Sequence, residues 1–248
     1  MEILAGRNSV YEALRAARRP VRRVLVARGA RERGTLAELL SLATEHGVPI
    51  DYVDRSELDR AAGGLYHQGV VAQAAEYPYA TIDEMLLLAN QRQEQPLLLA
   101  LDGVQDPQNV GTLLRTAEAV GVHGVLLPQR RSAHVTPAVS RASAGAVEHL
   151  RIALVTNLVR ALQELQDAGV WAVGVEAHPA AIDYASADLN LPLVLVLGGE
   201  GEGMHRLVAE RCDLLIRLPM YGRINSLNVA VAGSIALYQA ALARRPHP

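Results

Sequence analysis

Leu193-Val194-Leu195-Val196-Leu197 runs without interruption into Gly198-Gly199-Glu200-Gly201-Glu202-Gly203-Met204. A short, unbroken aliphatic run ahead of a glycine cluster reads as a buried strand entering a turn. Strands of that kind belong to parallel sheets covered on both faces. Four glycines in six positions mean that the backbone approaches something closely or turns with φ > 0. Further on, Leu218-Pro219-Met220 precedes Asn225-Ser226-Leu227-Asn228, which opens an apolar helix. Two such loops at strand ends make a ligand crevice.

Working outward from that strand, the pattern alternates from residue 96 onward. Strands are predicted over 97–101, 124–127, 150–154, 170–175, 193–197 and 213–218. The helices between and after them are predicted over 109–120, 137–147, 157–167, 204–211 and 226–244. Alternation of this kind defines an α/β fold built on a parallel sheet. The N-terminal part reads as a smaller α/β unit. It has a helix over 7–17, strands over 21–27, 48–53 and 69–75, and a short helix closed by Gly63-Gly64. Its helix over 33–45 is amphipathic, with Leu36, Leu39, Leu40 and Ala43 on one stripe. The organisation predicted is a first domain over 1–76, a linker over 77–95 with one short helix, and a second domain over 96–248.

The 248 residues, half of them hydrophobic, are enough for two ordinary cores. No apolar run reaches the ~18 residues of a membrane span. No secretory signal is visible, and the single cysteine, Cys212, fits a reducing compartment, so a cytoplasmic location is expected. A net charge of −2 argues against nonspecific coating of nucleic acid. Yet residues 1–33 hold nine arginines against three glutamates, and the chain has no lysine. Genome composition accounts for that; so does RNA or DNA recognition by a basic first domain, for which arginine is well suited.

Three segments could carry chemistry. In Asp102 to Arg115, Asp106 is placed to cap a helix with Pro107 at its first position. Arg115 could then simply pair with Glu118, three residues on. The glycine-rich loop lacks the third glycine of a dinucleotide fingerprint, and a Walker loop needs a lysine. Its glutamates disfavour a phosphate and suit a neutral or cationic ligand; the plain alternative is a tight turn. In the third segment, Asn225 or Ser226 is the expected helix cap. The helix behind it is apolar nearly all round and should be buried. Asn228 in its first turn then needs a polar partner. The eight histidines show no metal-ligand spacing, so no metal is expected. No serine has the setting of a hydrolase nucleophile.

Together, Asn109 to Arg115, Leu197 to Met204, and Leu218 through Val229 resemble the three motifs of the SpoU/TrmH family of SPOUT-class RNA ribose 2′-O-methyltransferases. The resemblance covers roughly residues 96–245. Gly6-Arg7-Asn8-Ser9-Val10 and His67-Gln68-Gly69-Val70-Val71-Ala72 are similar to the L30e-like RNA-binding domain of the ribosomal RNA guanosine members. The resemblance implies a parallel-sheet domain threaded into a deep trefoil knot, a homodimer, and S-adenosyl-L-methionine as cofactor. Leu197, Gly198, Gly199, Gly201, Leu218, Met220 and Leu227 would form its pocket.

The implied catalytic positions are Asn109, Arg115, Glu200, Ser226 and Asn228. A guanidinium stays protonated, so Arg115 is expected as a fixed cation that grips phosphate and steadies the developing alkoxide. The other four would orient it and the ribose, with Glu200 holding the cation in place and Arg115 reaching across the dimer. The implied reaction is 2′-O-methylation of a guanosine in 23S ribosomal RNA. Alternatives are a tRNA or another rRNA nucleotide, and, in a different class, a noncatalytic RNA-binding or ribosome-assembly factor. The intact polar set argues against the last.

Overall fold

The computed structural model describes residues 1–130, 132–201 and 203–244. The first elements in chain order are β1 (Glu2–Ala5), α1 (Arg7–Ala16), β2 (Val21–Ala27), α2 (Thr35–Glu45), β3 (Ile50–Val53), α3 (Arg55–Ala62) and β4 (Val70–Ala74). Next come α4 (Ile82–Gln91), β5 (Leu97–Asp102), α5 (Pro107–Val120), β6 (Gly124–Pro128), α6 (Pro137–Ala142), β7 (Ile152–Val155) and α7 (Leu158–Asp167). The rest are β8 (Trp171–Val175), β9 (Ile182–Asp183), β10 (Leu193–Gly198), α8 (Arg206–Ala209), β11 (Leu214–Arg217) and α9 (Val229–Ala243). The chain divides into two compact units: Met1–Pro78 with Val135–His149, and Tyr79–His134 with Leu150–Pro248.

In the first unit the described strands order β1-β4-β2-β3, with only β2 and β3 parallel. The helix predicted over 137–147 is broken, because Ala144 (φ 52) and Gly145 (φ 85) turn left-handed. The chain resumes as a 3-10 turn, Ala146–His149. A Cβ at Gly145 would lie 2.8 Å from the Asn8 carbonyl oxygen, so this turn packs backbone to backbone on α1. Here Arg19 is buried and forks onto Glu148, Nε to Oε2 at 2.9 Å and Nη2 to Oε1 at 2.6 Å. Arg19 is thus one of the nine early arginines that nucleic acid cannot reach. The two N-terminal segments singled out in the sequence meet: Gly6 N–H donates to the Val70 carbonyl, and Arg7 N–H to Gln68 Oε1.

In the second unit the described strands order β7-β6-β5-β10-β8-β11-β9, every pair parallel. The uninterrupted aliphatic strand, β10, is buried along its whole length between β5 and β8. Asp106 caps α5 with Pro107 at its first position, as predicted.

Helix α9 departs from expectation. Its inner face is buried, and a Cβ at Gly233 would collide with Leu197 and Leu113. Val231, Ile235, Tyr238 and Leu242, however, form an exposed stripe (37–58%). Apolar residues all round a helix state only that both faces avoid water, not that one chain covers both. At its far end Arg244 donates to the carbonyls of Leu189, Leu191, Gln95 and Pro96, fastening α9 to the strand entries.

Candidate active site

Ligands of open parallel sheets bind beyond the carboxyl ends of the strands. The loops after β8, β10 and β11 meet there and line a cavity of about 430 Å³. Leu197, Gly198, Gly199, Gly201, Leu218, Met220 and Leu227 all lie on its wall, as do Glu200, Ser226 and Asn228. Residues from two separate loops, after β10 and after β11, expected together on sequence grounds, are therefore neighbours in space. Glu202 lies outside the described residues.

Each glycine in the loop has its own reason. A Cβ on Gly198 would overlap the backbone of Gly203 and Met204, and one on Gly199 would sit 2.5 Å from the Gly103 carbonyl oxygen. Gly201 (φ 87) and Gly203 (φ 70) take the left-handed conformation, which side chains disfavour. Gly203 N–H closes the turn on the Gly199 carbonyl at 3.3 Å. The loop is thereby folded onto itself and onto the end of β5, leaving the cavity bounded by backbone.

A polar chain links the three motifs. Asn228, not Asn225 or Ser226, is the cap of α9, its Oδ1 accepting from the backbone N–H groups of Ala230 and Val231. Its Nδ2 donates to Asn109 Oδ1 at 3.0 Å, and Asn109 Nδ2 donates to Glu200 Oε1 at 2.5 Å. The partner that the sequence demanded for Asn228 is therefore present, though Asn228 is exposed in the single chain, not buried. Neither Asn109 nor Arg115 is among the residues lining the cavity. Arg115 is exposed on α5 and pairs neither with Glu118 nor with Glu200 among the described residues. Its neighbour Thr116 meets Ser234 of α9 at 2.9 Å.

Sequence reasoning missed two features. Glu176, just beyond β8, lines the cavity; its place at a strand's carboxyl end was the available signal. Asp102, at the end of β5, is buried and accepts from His205 N–H at 2.7 Å and from the His205 ring, Nδ1 to Oδ1, at 2.9 Å. This pair anchors the exit of the glycine loop, and a separation of 103 residues left no signal for it. Cys212 is partly buried, and burial pushes its thiol up to about 12, which excludes a reactive thiolate. Among the described residues no His, Cys, Asp or Glu cluster has the makings of a metal site, and no helix is long and apolar enough to cross a membrane.

A parallel sheet with a backbone-lined crevice at its carboxyl edge is where open α/β proteins bind small ligands, and similarity to known proteins says which class this one is. Residues 96–238 match the SpoU rRNA Methylase family, and residues 3–80 match the domain described as RNA 2′-O ribose methyltransferase substrate binding. YacO of Bacillus subtilis, named for the TrmH family of tRNA/rRNA methyltransferases, is 43% identical over 245 residues, 99% of this chain and 97% of its own. The SpoU methyltransferase AviRb of Streptomyces viridochromogenes, solved in complex with AdoMet, is similar with a TM-score of 0.78 at 25% identity, covering 98% of this chain and 90% of its own. An AdoMet-bound rRNA methyltransferase of Sinorhizobium meliloti is similar with a TM-score of 0.74 at 26% identity, covering 96% and 86%. The chain belongs to the SpoU/TrmH family of AdoMet-dependent RNA methyltransferases.

Proposed function

We propose that this enzyme methylates the 2′-oxygen of a guanosine ribose in 23S ribosomal RNA, with S-adenosylmethionine held in the cavity of the second unit. The convergence of all seven expected cofactor positions on one cavity is the observation that carries this reading. A volume of about 430 Å³ falls within the range of small-molecule sites. Turns in which glycine alone fits offer backbone groups to an adenosine, and the lining carboxylates suit a cation. When bound, the cofactor supplies an electrophilic methyl group on a sulfonium.

The chain's own residues do the rest. Leu197, Leu218, Met220 and Leu227 flank the site with apolar surface, while Gly198, Gly199 and Gly201 bring backbone to it. Arg115, a cation with no protein partner among the described residues, is free to grip an RNA phosphate and to steady charge on the ribose oxygen. Asn109, Glu200, Ser226 and Asn228 position the sugar. Holding both reactants in line supplies much of the rate enhancement expected of such a site.

The first 76 residues serve as the RNA-binding, L30e-like domain, with 77–95 as linker and 96–248 as the catalytic domain. Arg22, Arg31 and Arg33 are exposed there for phosphate contact. The exposed stripe on α9 supports a homodimer: a second copy would cover Val231, Ile235, Tyr238 and Leu242. Arg115, on the helix packed against α9, would then act across that interface. A trefoil knot at the glycine loop, and a cytoplasmic location, complete the reading.

Incubation with methyl-labelled cofactor and separate rRNA and tRNA pools tests it. Label in rRNA, mapped by mass spectrometry to one 2′-O-methylguanosine, is the expected result. Label in tRNA alone would overturn the ribosomal assignment, and label in neither would overturn the catalytic one.

A further inference from the structure

Glu176 stands where strand β8 opens into the cavity. Its carboxylate lies against the glycine loop: a Cβ at Gly203 would come within 2.7 Å of Oε1. The side chain is half-buried and makes no hydrogen bond or ion pair among the described residues. Glu200 is the other ionisable side chain on the described wall, and no arginine or histidine lines it. A carboxylate drawn partly out of water, with no cation of its own, favours a positively charged neighbour.

We propose that Glu176 is a specificity-determining residue for the cofactor: its charge makes the cavity prefer the methyl donor over the demethylated product. This rests on the methyltransferase reading above. The donor and S-adenosylhomocysteine share adenosine and amino-acid groups and differ by the methyl and the fixed charge on sulfur. Contacts to the shared groups cannot separate them, whereas a negative field acts on the sulfonium and not on the neutral thioether. Glu200 is engaged by Asn109, which leaves Glu176 as the unengaged charge among the described residues of the wall. Its consequence for turnover is easier release of spent cofactor.

The test is calorimetric titration of the full chain with S-adenosylmethionine and with S-adenosylhomocysteine. Wild type, Glu176→Gln and Glu176→Asp are compared, with each apo protein's thermal melt as a folding control. Glu176→Gln is expected to weaken the donor about fivefold and the product less than about twofold, as suits a partly solvated charge pair. Glu176→Asp should keep part of the preference, and added salt should narrow it in wild type. Equal weakening of both ligands, or unchanged donor affinity, overturns the proposal. Should Glu176→Gln fail to fold, a wild-type salt series with unaltered preference overturns it equally. Wild type binding neither ligand is a separate result, which removes the cofactor reading and this inference with it.

Discussion

Asn228 and Asn109, 119 residues apart, are joined by a 3.0 Å hydrogen bond whose direction is fixed from one end. The backbone N–H groups of Ala230 and Val231 require an oxygen from Asn228, so its amide nitrogen must face Asn109. The Asn109 oxygen is then committed, and its nitrogen turns to Glu200, which accepts as a carboxylate. A helix cap thus dictates how a glutamate in the glycine loop is held.

Removing either amide should break this chain and be felt at the other end. Asn228→Ala loses the α9 cap as well, a destabilisation of about 0.5–2 kcal/mol. Asn109→Ala should leave stability nearly unchanged while lowering methylation. The double variant should lose less activity than the product of the single losses, because both act through one arrangement. Steady-state methylation kinetics and denaturant melts on the three variants check this; independent effects would contradict it.

Arg115→Ala should separate folding from catalysis. The side chain is exposed and unpaired among the described residues, so stability should stay within about 0.5 kcal/mol. Loss of a fixed cation at a developing oxyanion should lower kcat about 10²–10³-fold. Single-turnover methylation of RNA measures it, and an unchanged rate would remove Arg115 from the mechanism.

Asp102→Ala should loosen the glycine loop. It orphans the His205 backbone N–H, at about 1–3 kcal/mol of stability, and frees the loop's exit. Cofactor affinity should fall several-fold, while His205→Ala, which leaves the backbone bond intact, should fall less. Calorimetry on both variants checks the order.

Arg19→Ala should be the most destabilising of these changes. Burial already holds the Glu148 carboxyl above its ordinary value against the pull of Arg19; with Arg19 gone, burial and the nearby Glu2 charge drive it further up, opposed by Arg18. Breaking a buried pair from one side costs about 3–5 kcal/mol, readable in a denaturant melt of the variant. A change under about 1 kcal/mol would show that the pair is dispensable.

His123 should make the protein sensitive to mild acid. Its Nδ1 accepts from Leu97 N–H at 3.0 Å, so the proton sits on Nε2, facing Glu94 at 2.9 Å. Burial lowers its folded value below 6.5, with Arg92 adding to the effect and Glu94 opposing it. The unfolded chain therefore takes up a proton that the fold refuses. Stability falls as pH drops through 6.5 and levels off below the folded value, by at most about 1.4 kcal/mol per pH unit. A His123→Asn variant should show a flatter profile between pH 7 and 5.5.

The sheet was readable because buried parallel strands such as β10 are continuous apolar runs, and the cavity because Gly198 and Gly199 admit no side chain. Other features depend on partners far along the chain. The tie between Asp102 and His205 leaves no local trace, and β1 is only four residues long. The break at Ala144-Gly145 came from close packing on α1, which a helical pattern does not reveal. The exposed stripe on α9 escaped because hydrophobicity all round a helix does not say which face its own chain covers.

A crystal structure of this protein grown with S-adenosylmethionine tests the central claim most directly. The donor should lie in the cavity after β8, β10 and β11, against Leu197 to Gly201, Leu218 to Met220 and Leu227. Electron density for it elsewhere on the molecule, or side chains filling that cavity, would contradict the account.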